Sequence, residues 1–256
     1  MKPLAIVLAA LLAAITSASP LSLLLIQPSC PNSNISASRA SEVVSKFASA
    51  GVVPVSVPAI MPTVDLRVKY GNIPENLGNE FSALQTLQEP VIGFDPEIGY
   101  DPSTTRYTYI QVDPDAPGPE LPLFRQYLHH IIYDIAPSCV PSQTPKTQAR
   151  YMPLTPLSIS PHRYVSLLYR QPAGAYTPPA LSLLDDVARA PFNLEKYVQE
   201  AGLTLVGGNF MMEGLGSSVC GLVPGCTNSG IGYGGVGDGR AIRTDLLGGI
   251  LNGLGI

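Results

Sequence analysis

Charged residues and tryptophan are scarce in this sequence. Charged residues make up 13% of the 256 positions, tryptophan is absent, and there are three histidines. The 15 lysines and arginines form no basic cluster, and the formal net charge is −4. Nucleic acids and anionic membrane surfaces attract proteins through lysine and arginine stripes. We therefore expect no nucleic-acid partner and no general electrostatic attraction to anionic membranes.

Long apolar runs are also missing, apart from one at the N terminus. Residues 4–15 form an apolar run that follows Lys2 and precedes the small residues Thr16, Ser17 and Ala18. A short positive region, an apolar core and a small-residue cleavage site are typical of a secretory signal peptide. The run is shorter than the ~20 residues needed to cross a bilayer. We predict a signal peptide at residues 1–18, a secreted protein and no transmembrane segment.

The four cysteines lack the spacing of a zinc site, since there is no CxxC pair and no histidine nearby. In an exported protein they are expected to form disulfides, although four cysteines allow three pairings and sequence alone does not choose among them. The short loop between Cys220 and Cys226 favours a bridge there, which leaves Cys30 with Cys139. Asn34 begins an N-glycosylation acceptor sequence in a position that suits exposure.

Proline is abundant, at 26 residues, which favours a mostly β domain with many loops over a helical bundle. Helical spacing of apolar residues predicts an amphipathic helix over residues 36–50, with Ser36 or Ser38 as N-cap and Gly51 as its end. A second, short helix is predicted at residues 194–201. Strand-like runs occupy residues 63–208. After Glu213 the sequence is glycine-rich, and we expect no packed core there.

Three polar segments each border a predicted strand, and together they contain all three histidines. They are residues 113–117 (Asp-Pro-Asp-Ala-Pro), residues 128–130 (Leu-His-His) and residues 162–164 (His-Arg-Tyr). Segments so far apart converge only through folding. The order predicts one pocket of carboxylates, imidazoles and tyrosine hydroxyls that binds a small polar or anionic ligand.

The two-residue period of strands assigns the side chains to faces. It places His129 and His130 on opposite sides of the sheet unless a bulge intervenes. His129, near the strand's start, is the better ligand candidate, and His130 is expected to be a packed residue. The same period puts His162 and Tyr164 on one face, where both can point into a cleft.

The order of these motifs resembles the phosphatidylethanolamine-binding protein family, which includes Raf kinase inhibitor protein, plant flowering regulators and the carboxypeptidase Y inhibitor. The match spans residues 38–213. The resemblance implies an antiparallel β-sandwich with peripheral helices and a small anion pocket at one end. It divides the chain into a signal peptide (1–18), an N-terminal extension (19–37), the family domain (38–213) and a glycine-rich C-terminal tail (214–256).

The resemblance also implies the site and its ligand, a phosphate or a phosphoethanolamine-type phospholipid head group, with no cofactor and no metal. Matched by motif, the ligand-binding residues are Asp113, Asp115, His129, His162 and Tyr164. Imidazole N–H groups and the tyrosine hydroxyl can donate to ligand oxygens, with the aspartates behind the imidazoles or paired with the ligand's ammonium. Two segments depart from the family pattern: Gly118-Pro119 and Ser158-Ile159-Ser160.

We therefore predict a binding protein rather than an enzyme. The resemblance implies an alternative, a surface that inhibits a serine carboxypeptidase or another protease. A hydrolase based on aspartate and histidine is less favoured. No Gly-x-Ser-x-Gly motif is present, and Ser158 and Ser160 lack the strand-turn-helix context of such a nucleophile.

Overall fold

A computed structural model describes Cys30 and residues 35–141, 144–156, 158, 160–181 and 189–214. Three helices and nine strands lie in this part of the chain. The helices are α1 (Ala37–Ser49), α2 (Val52–Val55) and α3 (Leu194–Glu200). The strands are β1 (Arg67–Tyr70), β2 (Ile73–Pro74), β3 (Asn79–Phe81), β4 (Val91–Gly93), β5 (Tyr107–Asp113), β6 (Tyr127–Ile135), β7 (Lys146–Ala149), β8 (His162–Arg170) and β9 (Thr204–Glu213).

The strands form two sheets with one apolar cluster between them. The larger sheet has the order β3-β9-β8-β5-β6-β7, and the smaller has the order β2-β1-β4. All pairs are antiparallel except β3 with β9. The cluster between the sheets joins Val68 of β1 to Tyr109 of β5 and Leu168 of β8. This is the mostly β sandwich that the sequence predicted.

Helices cover the other face of the large sheet. Val43 and Phe47 of α1 and Tyr197 of α3 pack there against Val165 and Leu167 of β8. Both predicted helices are confirmed within one or two residues at each end. Ser36 is the N-cap of α1, because its hydroxyl accepts a hydrogen bond from the Arg39 N–H at 3.1 Å.

A disulfide joins Cys30 to Cys139, as predicted, with the two Cα atoms 5.2 Å apart. It connects the chain before α1 to the loop after β6. The other predicted bridge, between Cys220 and Cys226, lies outside the described residues, as do Asn34, the predicted signal peptide and the tail from residue 215. In the described part of the chain, no helix is long and apolar enough to cross a membrane.

Candidate functional site

A cavity of about 230 Å³ opens where β5 ends and where β6 and β8 begin. Antiparallel pairing of β5 with both neighbours brings these three strand ends together. Four of the five predicted site residues line the cavity, and Asp115 does not. The lining residues are Asp113, Ala116, Pro117, Phe124, Tyr127, His129, Met152, Pro153, Thr155, Pro156, His162 and Tyr164.

His129 reaches the cavity because β6 carries a β-bulge at this residue. Gln111 pairs with His130 and the next residue, Val112, pairs with Leu128, so His129 has no partner of its own on β5. The His129 ring lies edge-on to the Tyr164 ring, with centroids 5.2 Å apart. Its Nδ1 lies 3.0 Å from the Met152 carbonyl oxygen. A carbonyl only accepts, so Nδ1 carries the proton and Nε2 of the neutral ring is an acceptor.

His129 and His130 lie on the same side of the sheet, because the bulge, which the alternation rule excepted, is present. His130 packs edge-on against Tyr109 and Tyr151, on the same inter-sheet side as Tyr164. Its Nδ1 donates to the Ala149 carbonyl at 2.8 Å. His130 is a packed residue, as expected. It lies outside the cavity because it is further along β6, and not because it faces the opposite side of the sheet.

His162 lies between Asp113 and Ser158. The His162 and Asp113 side chains are almost fully buried, with exposed fractions of 2% and 3% respectively. The ring Nδ1 is 2.7 Å from the Asp113 carboxylate, and Nε2 is 2.9 Å from the Ser158 hydroxyl oxygen. Ser158 donates its single proton to the Ser160 carbonyl, 2.6 Å away. The Ser158 oxygen is therefore placed to accept a hydrogen bond from Nε2, and the Asp113 carboxyl group lies behind Nδ1.

Asp115 does not stand behind an imidazole. Its carboxylate accepts from the backbone N–H and from the guanidinium of Arg163, with the Nε donor 2.7 Å away. Strand alternation turns Arg163 to the face opposite His162 and Tyr164. The backbone N–H of Asp115 donates to Asp113 at 2.6 Å, which fixes the Asp113 carboxylate towards His162. Asp115 thus contacts the site through its backbone, and its part in binding stays a prediction.

Burial decides the charge of the remaining polar groups in the cavity. Loss of solvation lowers the pKa of His129 to about 4, despite the opposing effect of Asp113. Burial also raises the Tyr164 pKa well above its ordinary value, so its hydroxyl keeps its proton. At neutral pH, His129 presents an acceptor to the cavity and Tyr164 presents a hydroxyl. His129 can donate a hydrogen bond from Nε2 to a ligand oxygen only after the ring has taken up a second proton.

Comparisons with known proteins identify the family. The family model described as phosphatidylethanolamine-binding protein matches residues 68–211, more than half of the chain. The chain belongs to the phosphatidylethanolamine-binding protein family. It is 34% identical over 165 residues to CEN-like protein 1 of Nicotiana tabacum, in an alignment that covers 64% of this chain and 88% of that protein.

A second relative is the 26 kDa secreted antigen of Toxocara canis, 31% identical over 168 residues. The alignment covers 64% of this chain but 61% of the antigen, so the chain spans about three fifths of that protein's length.

Solved structures of the family share this fold. A carboxypeptidase Y inhibitor, solved with its cognate proteinase, superposes with a TM-score of 0.59 at 22% identity, over 68% of this chain and 96% of that one. The Plasmodium falciparum phosphatidylethanolamine-binding protein gives 0.55 at 19% identity, over 66% and 96%. At such identities the likeness establishes the fold alone.

The two departures from the family pattern meet each other at the cavity mouth. Ser160 donates a hydrogen bond to the carboxylate of Glu120, two residues after Gly118. A Cβ atom on Gly118 would lie 3.5 Å from the Ser158 Cβ. Residues 118–120 therefore meet Ser158 and Ser160 across the rim, and we call this the rim contact. On its inner side, the Ser158 hydroxyl oxygen lies 2.9 Å from His162 Nε2.

Sequence reasoning named Arg163 and Ser158 only as members of their segments, without their partners, and it missed Phe124. Alternation along β8 did place Arg163 opposite His162, but the carboxylate that it pairs with is visible only in the fold. Phe124 follows a run of prolines without strand or helix periodicity, so nothing in the sequence directs it to the cavity. Within the described residues, no group of histidine, cysteine and acidic side chains is arranged to hold a metal ion.

Proposed function

We propose that the protein is an exported binding protein whose cavity takes a phosphate or phosphoethanolamine-type head group. The observation that carries the proposal is the His162 ring, which lies in the cavity wall with Asp113 behind Nδ1 and with Nε2 placed to donate. A cavity of about 230 Å³ is smaller than the ~300–1,000 Å³ usual for drug-sized ligands, which favours a head group over a larger molecule.

The polar lining suits a zwitterion. The His162 Nε2–H and the Tyr164 hydroxyl are donors for phosphate oxygens, whereas His129 Nε2 is an acceptor for an ammonium group. Phe124, Tyr127 and Tyr164 add aromatic surface, which attracts an ammonium group. Neither lysine nor arginine is among the described residues that line the cavity. Export is supported by the predicted signal peptide, by the Cys30–Cys139 disulfide and by the relative described as a secreted antigen.

Calorimetric titration of phosphoethanolamine tests the proposal. We expect His162→Ala to weaken binding about tenfold or more, because a charge-assisted hydrogen bond contributes roughly 1.5–3 kcal/mol. His130→Ala, matched in residue type and burial, should keep its affinity and lose stability instead. Binding that survives His162→Ala and disappears in His130→Ala would reject this cavity as the site. Absence of binding to the wild-type protein would reject the proposed ligand class.

Hydrolysis has one specific observation in its favour, because Ser158, His162 and Asp113 are linked in the order of a serine-hydrolase triad. In such a triad the serine proton points to the histidine. Here it points to the Ser160 carbonyl, so the Ser158 oxygen is placed to accept from His162 and not to donate to it. We therefore place hydrolysis below binding. Covalent labelling of Ser158 by a fluorophosphonate, detected by mass spectrometry, would reverse that order.

Protease inhibition, the other function implied by the family resemblance, stays a prediction. The likeness to the carboxypeptidase Y inhibitor is one of fold. Inhibition of a serine carboxypeptidase in a peptide-hydrolysis assay is its direct test.

A further inference from the structure

The loop between β5 and β6 exposes a dense group of large apolar side chains. Leu121 is 63% exposed, Leu123 is 65% exposed and Phe124 is 48% exposed. Nowhere else in the described part of the chain do three exposed large apolar residues fall within four positions. Isolated exposed apolar residues are ordinary, whereas clusters mark interaction surfaces. We call residues 118–125 the apolar loop.

The apolar loop is continuous with the cavity. Phe124 lines the cavity and is half exposed, and Ala116 and Pro117, which lead into the loop, also belong to the cavity wall. A surface that the loop contacts must therefore lie beside the cavity mouth.

Internal hydrogen bonds hold the loop in shape. The Phe124 N–H donates to the Ala116 carbonyl at 3.0 Å, the Leu121 N–H to Gly118 at 3.1 Å and the Leu123 N–H to Leu121 at 2.8 Å. Two more positions of the loop, Pro119 and Pro122, have no N–H because they are prolines. Few backbone donors would thus lose water if the tip entered an apolar phase, which lowers the cost of insertion.

The two charged residues of the loop, Glu120 and Arg125, each have a hydrogen-bond partner in the protein. Glu120 accepts from Ser160, and the Arg125 Nε donates to the Pro114 carbonyl at 2.9 Å. The loop has no group of lysines, and the whole chain carries a net charge of −4. Attraction to anionic lipid would therefore be weak, and apolar insertion is the mode of membrane contact that remains.

We propose that the apolar loop inserts Leu121, Leu123 and Phe124 into the interfacial layer of a phospholipid bilayer, so that the cavity opens at the level of the head groups. The inference rests on the proposed head-group function, since a cavity for head groups gives the neighbouring loop a lipid surface to meet. Insertion of such side chains reaches about 5–10 Å into the boundary between head groups and acyl chains.

The absence of tryptophan makes a clean experiment possible. Leu123→Trp places a single fluorophore at the loop tip, and Leu84→Trp is the matched control at a site 58% exposed outside the loop. Vesicles of phosphatidylcholine and phosphatidylethanolamine should shift the emission of the Leu123→Trp variant to the blue and leave the emission of the control unchanged. The shift should persist at high salt, because apolar insertion is not screened.

Sedimentation with the same vesicles gives an independent measure. Leu121→Ser with Leu123→Ser should weaken vesicle binding on the order of tenfold or more, while Leu84→Ser should not. No blue shift, equal shifts at both positions or loss of the shift at high salt would overturn the proposal. A concentration-dependent dimer that the loop variants abolish, without vesicle binding, would assign the surface to a second copy of the chain and also overturn it.

Soluble phosphoethanolamine separates this proposal from the function on which it rests. If vesicles bind through the loop but the cavity does not bind phosphoethanolamine, membrane contact stands and the head-group function fails. If phosphoethanolamine binds and vesicles do not, the head-group function stands and the loop proposal is wrong.

Discussion

At the scale of single residues, Ser158 already forms a hydrogen bond with His162 Nε2, the nitrogen that a ligand oxygen would approach. The hydroxyl oxygen lies 2.9 Å from Nε2 and is fixed from behind by the Ser160 carbonyl. A phosphate oxygen reaches this donor only by displacing Ser158. The rim contact therefore competes with the ligand for the same hydrogen bond.

Ser158→Ala should raise the affinity for phosphoethanolamine several-fold, because a hydrogen bond that the free protein makes contributes about 0.5–1.5 kcal/mol. Calorimetric titration gives the comparison. Ser103→Ala is the control, since the Ser103 hydroxyl bonds Asp101 in an exposed turn away from the cavity. Weaker binding by Ser158→Ala would mean that the hydroxyl contacts the ligand itself.

Two buried carboxyl groups, Glu75 and Glu213, make stability depend on pH. Loss of solvation raises each pKa from 4.5 to about 8, against single hydrogen bonds from Ser166 and Thr86. Both groups are protonated in the folded protein at neutral pH, whereas in the unfolded chain they ionise near their ordinary pKa. The folded protein therefore binds protons that are released when the chain unfolds.

The stability from these two groups is complete below about pH 4.5 and is lost as the pH rises towards 8. His129 acts in the opposite direction, but only below its ordinary pKa of 6.5. Between pH 6.5 and 8.5 the melting temperature should fall, and Glu75→Gln should make the fall shallower. Thermal melts across this range are the measurement. A melting temperature that rises with pH in both proteins would contradict the assignment of neutral carboxyls.

At the scale of elements, regular strands were predictable and the irregular one was not. Alternation along β8 correctly placed His162 and Tyr164 together and Arg163 opposite them. The same rule failed on β6, where the bulge at His129 shifts the period by one residue. Bulges arise from pairing with a neighbouring strand, so the local pattern of one strand does not contain them. The pairing of Asp115 with Arg163, 48 residues away, could not be predicted either, because it also joins two separate segments of the chain.

The packing of α1 on β9 depends on Gly208, which has no side chain. A Cβ atom on Gly208 would lie 2.7 Å from the Phe47 ring and 2.9 Å from Ile60. Gly208→Ala should therefore lower the free energy of unfolding by about 1–3 kcal/mol, as overpacked cores do. Denaturant titration measures it, with Gly118→Ala as the control because its new Cβ would make only an ordinary contact. Equal stability of the two variants would show that α1 shifts freely on the sheet.

At the scale of the whole molecule, composition and motif order were sufficient for the architecture. Proline content and short strand-like runs indicated a mostly β domain, and the order of three polar segments indicated one pocket. The family resemblance carried by those segments implied the sandwich and a pocket at one of its ends. The rim contact depends on segments about 40 residues apart, and the exposure of the apolar loop depends on which of its side chains the fold leaves uncovered. Both features lie at the cavity mouth, and they become visible only in the folded structure.

The Cys30–Cys139 disulfide joins the chain before α1 to the loop after β6, across 109 residues of sequence. A closed loop of about 100 residues restricts the unfolded chain strongly, and native disulfides commonly contribute about 2–5 kcal/mol. Replacing both cysteines by serine should lower the free energy of unfolding by that amount while phosphoethanolamine binding at saturating ligand is kept, because the cavity residues are not part of the bridge. Denaturant titration of the variant and of the wild-type protein, each with and without reductant, measures the difference. Reductant should destabilise the wild-type protein by about as much as the substitutions do; if neither change has an effect, the segment before α1 contributes nothing to the stability of the sandwich.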